Sequence, residues 1–242
     1  AADQKRELEA PLTDNMILQR ESKVPVWGFD KPGNQVTVEF DGETKAVVAD
    51  KNGDWMVKLE PLVASAKERE FRVYSKTESI TLKGVLVGEV WFSSGQSNMV
   101  WTAGKSMCNE VARELASSKE DIPIRESNID TVSALYPRKM ATSESGWKKA
   151  SGASGFSALS LSFAYELYKE LNVPIGILLS AHSNTRIEAF TQREAIEKHP
   201  KLTGDADLIR DADPLTEQGR NGYERYYADL KTWQEEAGRM AE

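Results

Sequence analysis

The sequence predicts an α/β domain preceded by an antiparallel β-sandwich. Three observations indicate this arrangement. Short alternating runs separated by turn residues fill the first third of the chain, a mostly apolar run follows at Val85–Phe92, and a helix leads directly into a second apolar strand between Ser154 and Leu179. Helices that alternate with apolar strands are typical of α/β sheets. With 242 residues, the chain can bury a sizeable core.

The first part, residues 8–84, is predicted to be the β-sandwich. Apolar and polar residues alternate in Val36–Phe40, and the Asp41-Gly42 pair that follows is a strong hairpin signal. A second turn at Asn52-Gly53 precedes the strand pattern of Trp55–Leu59. Short strands of this kind favour a small antiparallel fold with two packed sheets.

The second part, residues 85–202, has α/β character. Val85–Phe92 is predicted to be a strand buried on both faces. From Ser154 to Leu171 apolar residues recur every three or four positions, which predicts a helix that stops at Asn172-Val173-Pro174. The next apolar run, Ile175–Leu179, predicts another buried strand.

The third part, residues 203–242, is predicted to be an acidic helical segment. Its apolar residues alternate steps of three and four, which gives one side of a helix an apolar seam. The seam consists of Tyr223, Tyr226, Leu230, Trp233, Ala237 and Met240. A seam this short favours docking on its own domain over an intermolecular coiled coil.

Composition excludes several classes of protein. The formal net charge of −7 disfavours binding to nucleic acid. The most apolar stretch, Val173–Ala181, is too short to cross a membrane. Cys108 is the only cysteine, so an intramolecular disulfide and a cysteine-ligated zinc finger are excluded, and we expect neither a metal nor a cofactor. The start at Ala1-Ala2-Asp3 resembles a mature terminus left by a signal peptidase, from which we expect an extracytoplasmic location.

Ser97 is the strongest candidate for chemistry. It follows the predicted strand Val85–Phe92 through a polar turn, and a serine at the carboxyl edge of a buried strand is held rigidly and is open to substrate. Gly95 permits a tight turn, while Gln96 and Asn98 offer uncharged hydrogen-bond donors. Met99 occupies the position where the nucleophile elbow of α/β-hydrolases has glycine, so that motif does not match.

Several long motifs resemble one known family. The block Val87–Met99, with the sequence VGEVWFSSGQSNM, resembles the nucleophile block of the sialate O-acetylesterase family, a branch of the SGNH hydrolases. Asp14–Arg20 together with Val24–Gly28 resembles the family's entry into its β-sandwich, and Asn172–Gly176 together with Thr185–Thr191 resembles its second catalytic block. The order of these motifs is specific, and the resemblance covers residues 12 to 194.

The resemblance implies a fold and an activity. The fold would be the three-layer, flavodoxin-like SGNH-hydrolase domain, and Ser97 would attack the carbonyl of an acetyl ester on a sugar. The Ser97 amide would hold the oxyanion together with a Gly-Gly-Thr turn, where this chain has Ser183-Asn184-Thr185. Because Asn tolerates left-handed backbone geometry better than most residues, the amide or side chain of Asn184 is still a candidate donor.

The family's catalytic base has no counterpart in this sequence. The family takes its histidine from an Asp-x-x-His block near the carboxyl end, whereas the two histidines here, His182 and His199, have Leu179 and Ile196 three residues before them. The resemblance therefore implies an incomplete hydrolase domain. Its partners would be an O-acetylated carbohydrate and the missing C-terminal half of the same hydrolase.

Three further residues are candidates for the pocket. His182 follows the strand at Ile175–Leu179 and is interpreted as a pocket wall, with a replacement base as the alternative. Trp101 is placed at a pocket rim or under the loop that carries Ser97. Glu188 is either a carboxylate partner in the site or a residue that caps a helix.

Two functions remain open at this point. The preferred one is a carbohydrate O-acetylesterase with a serine nucleophile that needs the missing part for activity. The alternative is a non-catalytic module that binds carbohydrate or another partner and keeps the esterase scaffold.

Overall fold

The computed structural model describes residues 7–8, 10–76, 78–107, 109–132, 134, 136, 141–143 and 145–240. The described residues fall into two compact units. The first contains those up to Thr131 and those from 141 to Asn184, and the second contains those of 132–138 and of 185–242. This division does not test the predicted boundaries at residues 84 and 202, which stay predictions.

Eleven strands and six helices are described. The strands are β1 Glu7–Leu8, β2 Ile17–Gln19, β3 Val24–Phe29, β4 Gln35–Phe40, β5 Glu43–Val48, β6 Asp54–Leu59, β7 Ser65–Tyr74, β8 Ser79–Gly95, β9 Ile124–Asn128, β10 Trp147–Lys149 and β11 Ile175–Ala181. The helices are α1 Ser97–Val100, α2 Glu110–Ser117, α3 Ala158–Leu171, α4 Arg193–Lys198, α5 Thr203–Ala212 and α6 Glu217–Met240. The mixed α/β class that the sequence predicts is confirmed.

The central sheet of the first unit has eight strands, seven of which follow the order β10-β9-β11-β8-β7-β4-β5. The strands β9, β11 and β8 run parallel, whereas β7, β4 and β5 continue the sheet in antiparallel pairs. The short strand β2 pairs in parallel with β8 at Leu86–Gly88. A separate three-stranded sheet has the order β1-β3-β6. Strand β8, with 17 residues, therefore belongs to both the antiparallel and the parallel part.

Two local features explain how these strands meet. Asp41 and Gly42 have φ angles of 51° and 81°, the left-handed geometry that a two-residue hairpin turn requires between β4 and β5. Gly88 lies where β8 passes the start of β11, and a Cβ atom added there would lie 1.9 Å from the carbonyl oxygen of Pro174. Only glycine allows this close approach of the two backbones.

Two apolar cores stabilise the first unit. One lies between the three-stranded sheet and the antiparallel part of the large sheet, and includes Val26, Leu59 and Phe71. The other joins α2 and α3 to the parallel strands, through residues such as Leu161 and Ile177. The three-layer SGNH arrangement, the sandwich topology and the incompleteness of the domain stay predictions.

Helix α3 has defined ends. Ser157 caps its amino end, where the hydroxyl oxygen accepts a hydrogen bond from the Ser160 amide at 3.3 Å. Asn172 ends it in the left-handed conformation, with φ 51° and ψ 41°, and donates its N–H to the carbonyl of Tyr168 at 2.9 Å. The chain then turns through Pro174 into β11, at the position that the sequence predicts.

The predicted burial of Val85–Phe92 on both faces is wrong at its carboxyl end. Val85, Leu86 and Val87 are buried, but Trp91 is 42% exposed and Phe92 is 66% exposed. The physical reason is that, among the described strands, only β11 pairs with β8 beyond Gly88. The strand is therefore covered on one edge only in this stretch.

The second unit consists of helices α4 to α6 and the described residues of 132–138. Its buried carboxylate, Asp213, pairs with the guanidinium of Arg193 at 2.7 Å and accepts a hydrogen bond from the hydroxyl of Tyr136. The Arg193 guanidinium also lies 5.4 Å from the centre of the Tyr136 ring. These contacts hold Tyr136 against α4 and the end of α5.

Helix α6 has an exposed apolar seam. Tyr223 is close to α5, where its hydroxyl donates to the carbonyl of Ala212 at 3.3 Å, but Tyr226 and Trp233 are 58% and 64% exposed. The expected docking of the seam on its own domain is not found at these two residues. None of the described helices is long and apolar enough to cross a bilayer.

Candidate active site

The carboxyl ends of β8 and β11 lie side by side. Ala181 is in register with Gly95, the last residue of β8. The amide of His182 donates to the carbonyl of Gly95 at 3.0 Å and continues the ladder by one residue. Because parallel strands end at the same edge of a sheet, the turns after both strands emerge together, which is where ligands bind in open α/β sheets.

A tight turn presents Ser97 at this edge. Gly95 has a φ of 141°, a conformation that L side chains rarely adopt, and Ser97 opens the short helix α1. The amides of Met99 and Val100 donate to the carbonyl of Gln96 at 2.8 and 3.2 Å, which closes the turn. Ser97 is half-buried, while Gln96 and Asn98 are exposed. In the part of the chain that the structure describes, the amides of Ser97 and Asn98 have no hydrogen-bond acceptor.

The turn after β11 faces the same edge. Its residues His182, Ser183 and Asn184 are exposed. Asn184 has a φ of 59°, so the asparagine adopts the left-handed geometry that a glycine would otherwise supply. Left-handed geometry of this kind is tolerated by asparagine better than by most other residues.

Helix α3 supports the short helix that carries Ser97. The sulfur of Met99 accepts hydrogen bonds from the hydroxyls of Ser157 and Ser160, at 3.6 and 3.4 Å. The carbonyl of Trp101 accepts the Ala158 amide at 2.8 Å. These contacts fix α1 against the first turn of α3, and they place Met99, two residues after Ser97, on a defined support.

A buried carboxylate lies under this support. Both oxygens of Glu126, on β9, accept the amide of Ser157, at 3.0 and 3.3 Å, and the residue is 2% exposed. Burial raises the pKa of Glu126 to about 7, against the smaller opposite effects of the Ser157 amide and of Lys148. The sequence gives no signal for the burial of this residue, because a charged residue in a short strand is usually exposed.

Two more polar atoms are buried at the same ends of the parallel strands. The hydroxyl of Ser94 and the side-chain oxygen of Asn128 have no hydrogen-bond partner among the described residues. Ser94 is in register with Ser180, and Asn128 is in register with Leu179. Buried polar atoms without a partner are rare in folded proteins.

The other predicted site residues occupy different surroundings. Trp101 is 56% exposed, and its place at a pocket rim stays a prediction. Glu188 lies in the second unit, where Arg186 pairs with it at 2.8 Å and with Asp205 at 3.0 Å. His199 also lies there, and its Nδ1 accepts the amide of Lys201 at 3.3 Å.

A base for Ser97 is not found among the described residues. None of their side chains forms a hydrogen bond with the Ser97 hydroxyl. Within the same residues, no group of three or more His, Cys, Asp or Glu side chains is arranged to hold a metal ion. The described arrangement thus contains a candidate nucleophile and candidate oxyanion donors, but no described side chain that is hydrogen-bonded to the serine hydroxyl as a base would be.

Comparison with known proteins decides the family. No family model matches the chain. The sialate O-acetylesterase of Mus musculus is 30% identical over 210 residues, and that of Homo sapiens is 26% identical over 207 residues. A crystal structure of a carbohydrate acetylesterase from Xanthomonas citri matches 81% of this chain with a TM-score of 0.73 and 30% identity. The chain belongs to the sialate O-acetylesterase family.

The chain spans less than half of these relatives. The matches cover 78% and 77% of this chain, but only 38% of the mouse protein and 39% of the human protein. The match to the Xanthomonas citri structure covers 44% of that chain. The sialate O-acetylesterase relatives therefore contain large regions that have no counterpart among the 242 residues.

Proposed function

We propose that this chain carries the nucleophile portion of a carbohydrate O-acetylesterase, which removes acetyl groups from sugars by attack of Ser97. The main support is the juxtaposition of two turns: Ser97 follows β8, and the left-handed Asn184 follows the neighbouring parallel strand β11. The names of the family members, sialate O-acetylesterase and carbohydrate acetylesterase, agree with this chemistry.

The proposed reaction has two steps. The Ser97 hydroxyl attacks the acetyl carbonyl carbon, gives its proton to a base, and forms a tetrahedral oxyanion. The oxyanion is stabilised by the amide of Ser97 and by the amide or side chain of Asn184, with Gln96, Asn98 and Ser183 at the edge of the pocket. As this intermediate collapses, the C–O bond to the sugar breaks, and the protonated base gives its proton to the sugar oxygen, which leaves as a hydroxyl. Water, deprotonated by the same base, then attacks acetyl-Ser97 and releases acetate, and the base returns the proton to Ser97.

The base is proposed to come from a C-terminal part of the hydrolase that these residues do not contain. Such a part would supply a histidine and the acid that orients it, as serine nucleophiles require. His182 is the alternative, because its amide is bonded to Gly95 at the same edge as Ser97. It is an exposed residue, and we assign it to the pocket wall.

The test compares Ser97→Ala with Ser154→Ala, which changes an exposed serine outside the proposed site. Each variant is fused to the C-terminal hydrolase part that is proposed to supply the base. Each fusion is then assayed with p-nitrophenyl acetate and with a fluorophosphonate probe. We expect Ser97→Ala to lose probe labelling and to lower kcat/KM by about a thousandfold or more, and Ser154→Ala to retain both. Turnover and labelling that survive in Ser97→Ala would contradict the proposal.

The same assay on the chain alone identifies the source of the base. We expect little or no turnover there, because no base contacts Ser97 among the described residues. Robust turnover that Ser97→Ala and His182→Ala both abolish would assign the base to His182.

A non-catalytic module is the second candidate function, and the missing base is the observation that favours it. This module would bind glycans with an affinity that Ser97→Ala does not change, and it would not react with the probe even when the remaining part is supplied. An extracytoplasmic location stays a prediction.

A further inference from the structure

The free edge of β8 is the feature that the proposed mechanism does not use. Strand β11 pairs with one edge of β8 over Glu89–Gly95. On the opposite edge, β2 pairs with β8 only up to Gly88. Strand β7 lies on the same edge as β11, because Val87 pairs with β2 on one side and with β7 on the other. The side chain of Gln19 covers one more residue, since its oxygen accepts the Val90 amide at 2.8 Å. Beyond this point, no described strand pairs with that edge.

The alternation of the backbone shows which groups the free edge presents. The Glu89 amide donates to Pro174, and the Gly95 carbonyl accepts from His182, so these residues direct their backbone groups at β11. Successive residues of a strand direct their backbone groups to opposite edges. Phe92 and Ser94 therefore present their N–H and C=O groups on the free edge, in the geometry that a further strand would need.

The side chains around this edge are apolar and exposed. Trp91 packs edge-on against Phe163 of α3, with ring centres 5.1 Å apart, but these two residues are 42% and 43% exposed. Leu159, one turn earlier on α3, is 53% exposed, and Phe92 is 66% exposed. We call the backbone of Phe92–Ser94 with these four side chains the β8 edge surface. An uncovered apolar strand edge favours aggregation, and natural proteins usually cover it.

We propose that the β8 edge surface is the docking site for a β-strand from the remaining part of the hydrolase, which extends the central sheet next to the nucleophile strand. This inference rests on the proposed function. The relatives supply the reason for this occupant, because 62% of the mouse protein and 56% of the Xanthomonas citri chain lie outside the match. Added strands gain main-chain hydrogen bonds and bury apolar side chains, a common mode of polypeptide recognition.

The position of this strand has a consequence for Ser97. The free edge extends up to Gly95, two residues before the candidate nucleophile. A strand on this edge brings the residues next to its end within reach of the turn that carries Ser97. The docked strand thus covers Phe92 and also adds residues to the surroundings of Ser97.

The test is co-expression of this chain with the part of the Xanthomonas citri carbohydrate acetylesterase that lies outside the match. That part carries an affinity tag. Phe92→Lys places a charge on the proposed interface. Val48→Lys is the matched control, because Val48 is 59% exposed on β5, the last strand of the antiparallel part of the same sheet. Thermal melts verify that both variants fold.

We expect the parent chain and Val48→Lys to co-purify with the tagged part, and Phe92→Lys to be recovered at least tenfold less. Hydrogen exchange at the amides of Phe92 and Ser94 should slow at least tenfold in the complex. The proposal is overturned if no complex forms, if Phe92→Lys binds as well as the parent, or if these amides stay unprotected. Protection caused by self-association of the chain alone would also overturn it, in favour of a second copy as the occupant.

Failure of the docking proposal and failure of the proposed function give different results. A complex that protects Phe92 and Ser94 but neither hydrolyses esters nor reacts with the fluorophosphonate probe retains the docking site and rejects the esterase. Ser97→Ala should form the complex as well as the parent chain, because this change removes only the hydroxyl and does not alter the strand edge.

Discussion

Folding alters the ionisation of Glu126 through burial. Its carboxylate is 2% exposed, and burial raises its pKa to about 7 from the ordinary value of 4.5. The folded chain therefore binds this proton more tightly than the unfolded chain does. The stabilising contribution of the protonated form is fully present below about pH 4.5 and is lost as the pH rises through the pKa of the folded state.

This linkage predicts how Glu126→Gln changes stability with pH. Glutamine keeps an oxygen that can accept the Ser157 amide but does not ionise. Between pH 4.5 and pH 7 the free energy of unfolding of the parent should therefore fall by about 3 kcal/mol relative to that of the variant, and the difference should stay constant above pH 8. Urea unfolding at several pH values measures it.

Glu166→Gln is the control for this experiment. Glu166 lies on the exposed surface of α3, where it pairs with Lys169, and its side chain is 68% exposed. Its replacement should leave the pH dependence of stability unchanged. A pH-independent difference between Glu126→Gln and the parent would contradict the raised pKa of Glu126.

Single residues differ in how well their surroundings follow from the sequence. The turn residues were predictable, because Asp41-Gly42 and Asn172 act through local backbone preferences, and both have the left-handed angles expected of them. Glu126 and Arg125 were not, since their burial depends on contacts with residues more than 30 positions away. The candidate site residues around Ser97 stay predictions in their catalytic roles.

Helix α3 links the cap at its amino end to the nucleophile turn. Ser157 accepts the Ser160 amide and donates to the sulfur of Met99. Ser157→Ala removes both bonds and should lower the free energy of unfolding by about 1 kcal/mol, the usual contribution of a serine cap. Urea unfolding at constant pH gives this value.

Ser162→Ala is the matched control within the same helix. Ser162 is exposed, and its hydroxyl donates only to the carbonyl of Ala158, one turn earlier. This bond competes with the helix rather than supporting it, so its removal should change stability by less than about 0.5 kcal/mol. Equal losses in the two variants would show that Ser157 does not act as a cap.

Elements with strong local signals were predictable, and their edges were not. The helix that ends at Asn172 and the strand after Pro174 lie where periodicity places them. The prediction that β8 is buried was wrong at Trp91 and Phe92. Hydrophobicity indicates that other elements should pack on a strand, but it does not show whether the described part of the chain contains those elements. The same reason applies to the seam of α6, where the pattern is helical but Trp233 is exposed.

Within the first unit, one buried cation bridges the two parts that β8 joins. Arg125, on β9 of the parallel part, is 2% exposed. Its guanidinium donates to the carbonyls of Asn15 and Gly84 and pairs with Glu68 at 3.1 Å, all of which belong to the antiparallel part or its connections. Burial lowers the pKa of Arg125 in spite of the nearby Glu68 carboxylate. Two backbone carbonyls thus depend on this side chain for their hydrogen bonds.

Arg125→Met should therefore destabilise the whole first unit. The methionine fills much of the space but leaves the two carbonyls without donors, and each buried polar group without a partner costs about 1–3 kcal/mol. We expect the free energy of unfolding to fall by about 3 kcal/mol in urea, as measured by tryptophan fluorescence. Arg72→Met is the control, since Arg72 forms an exposed pair with Glu70 and should change stability by less than about 1 kcal/mol. A similar small loss for Arg125→Met would mean that solvent replaces the guanidinium, and that the two carbonyls do not depend on it.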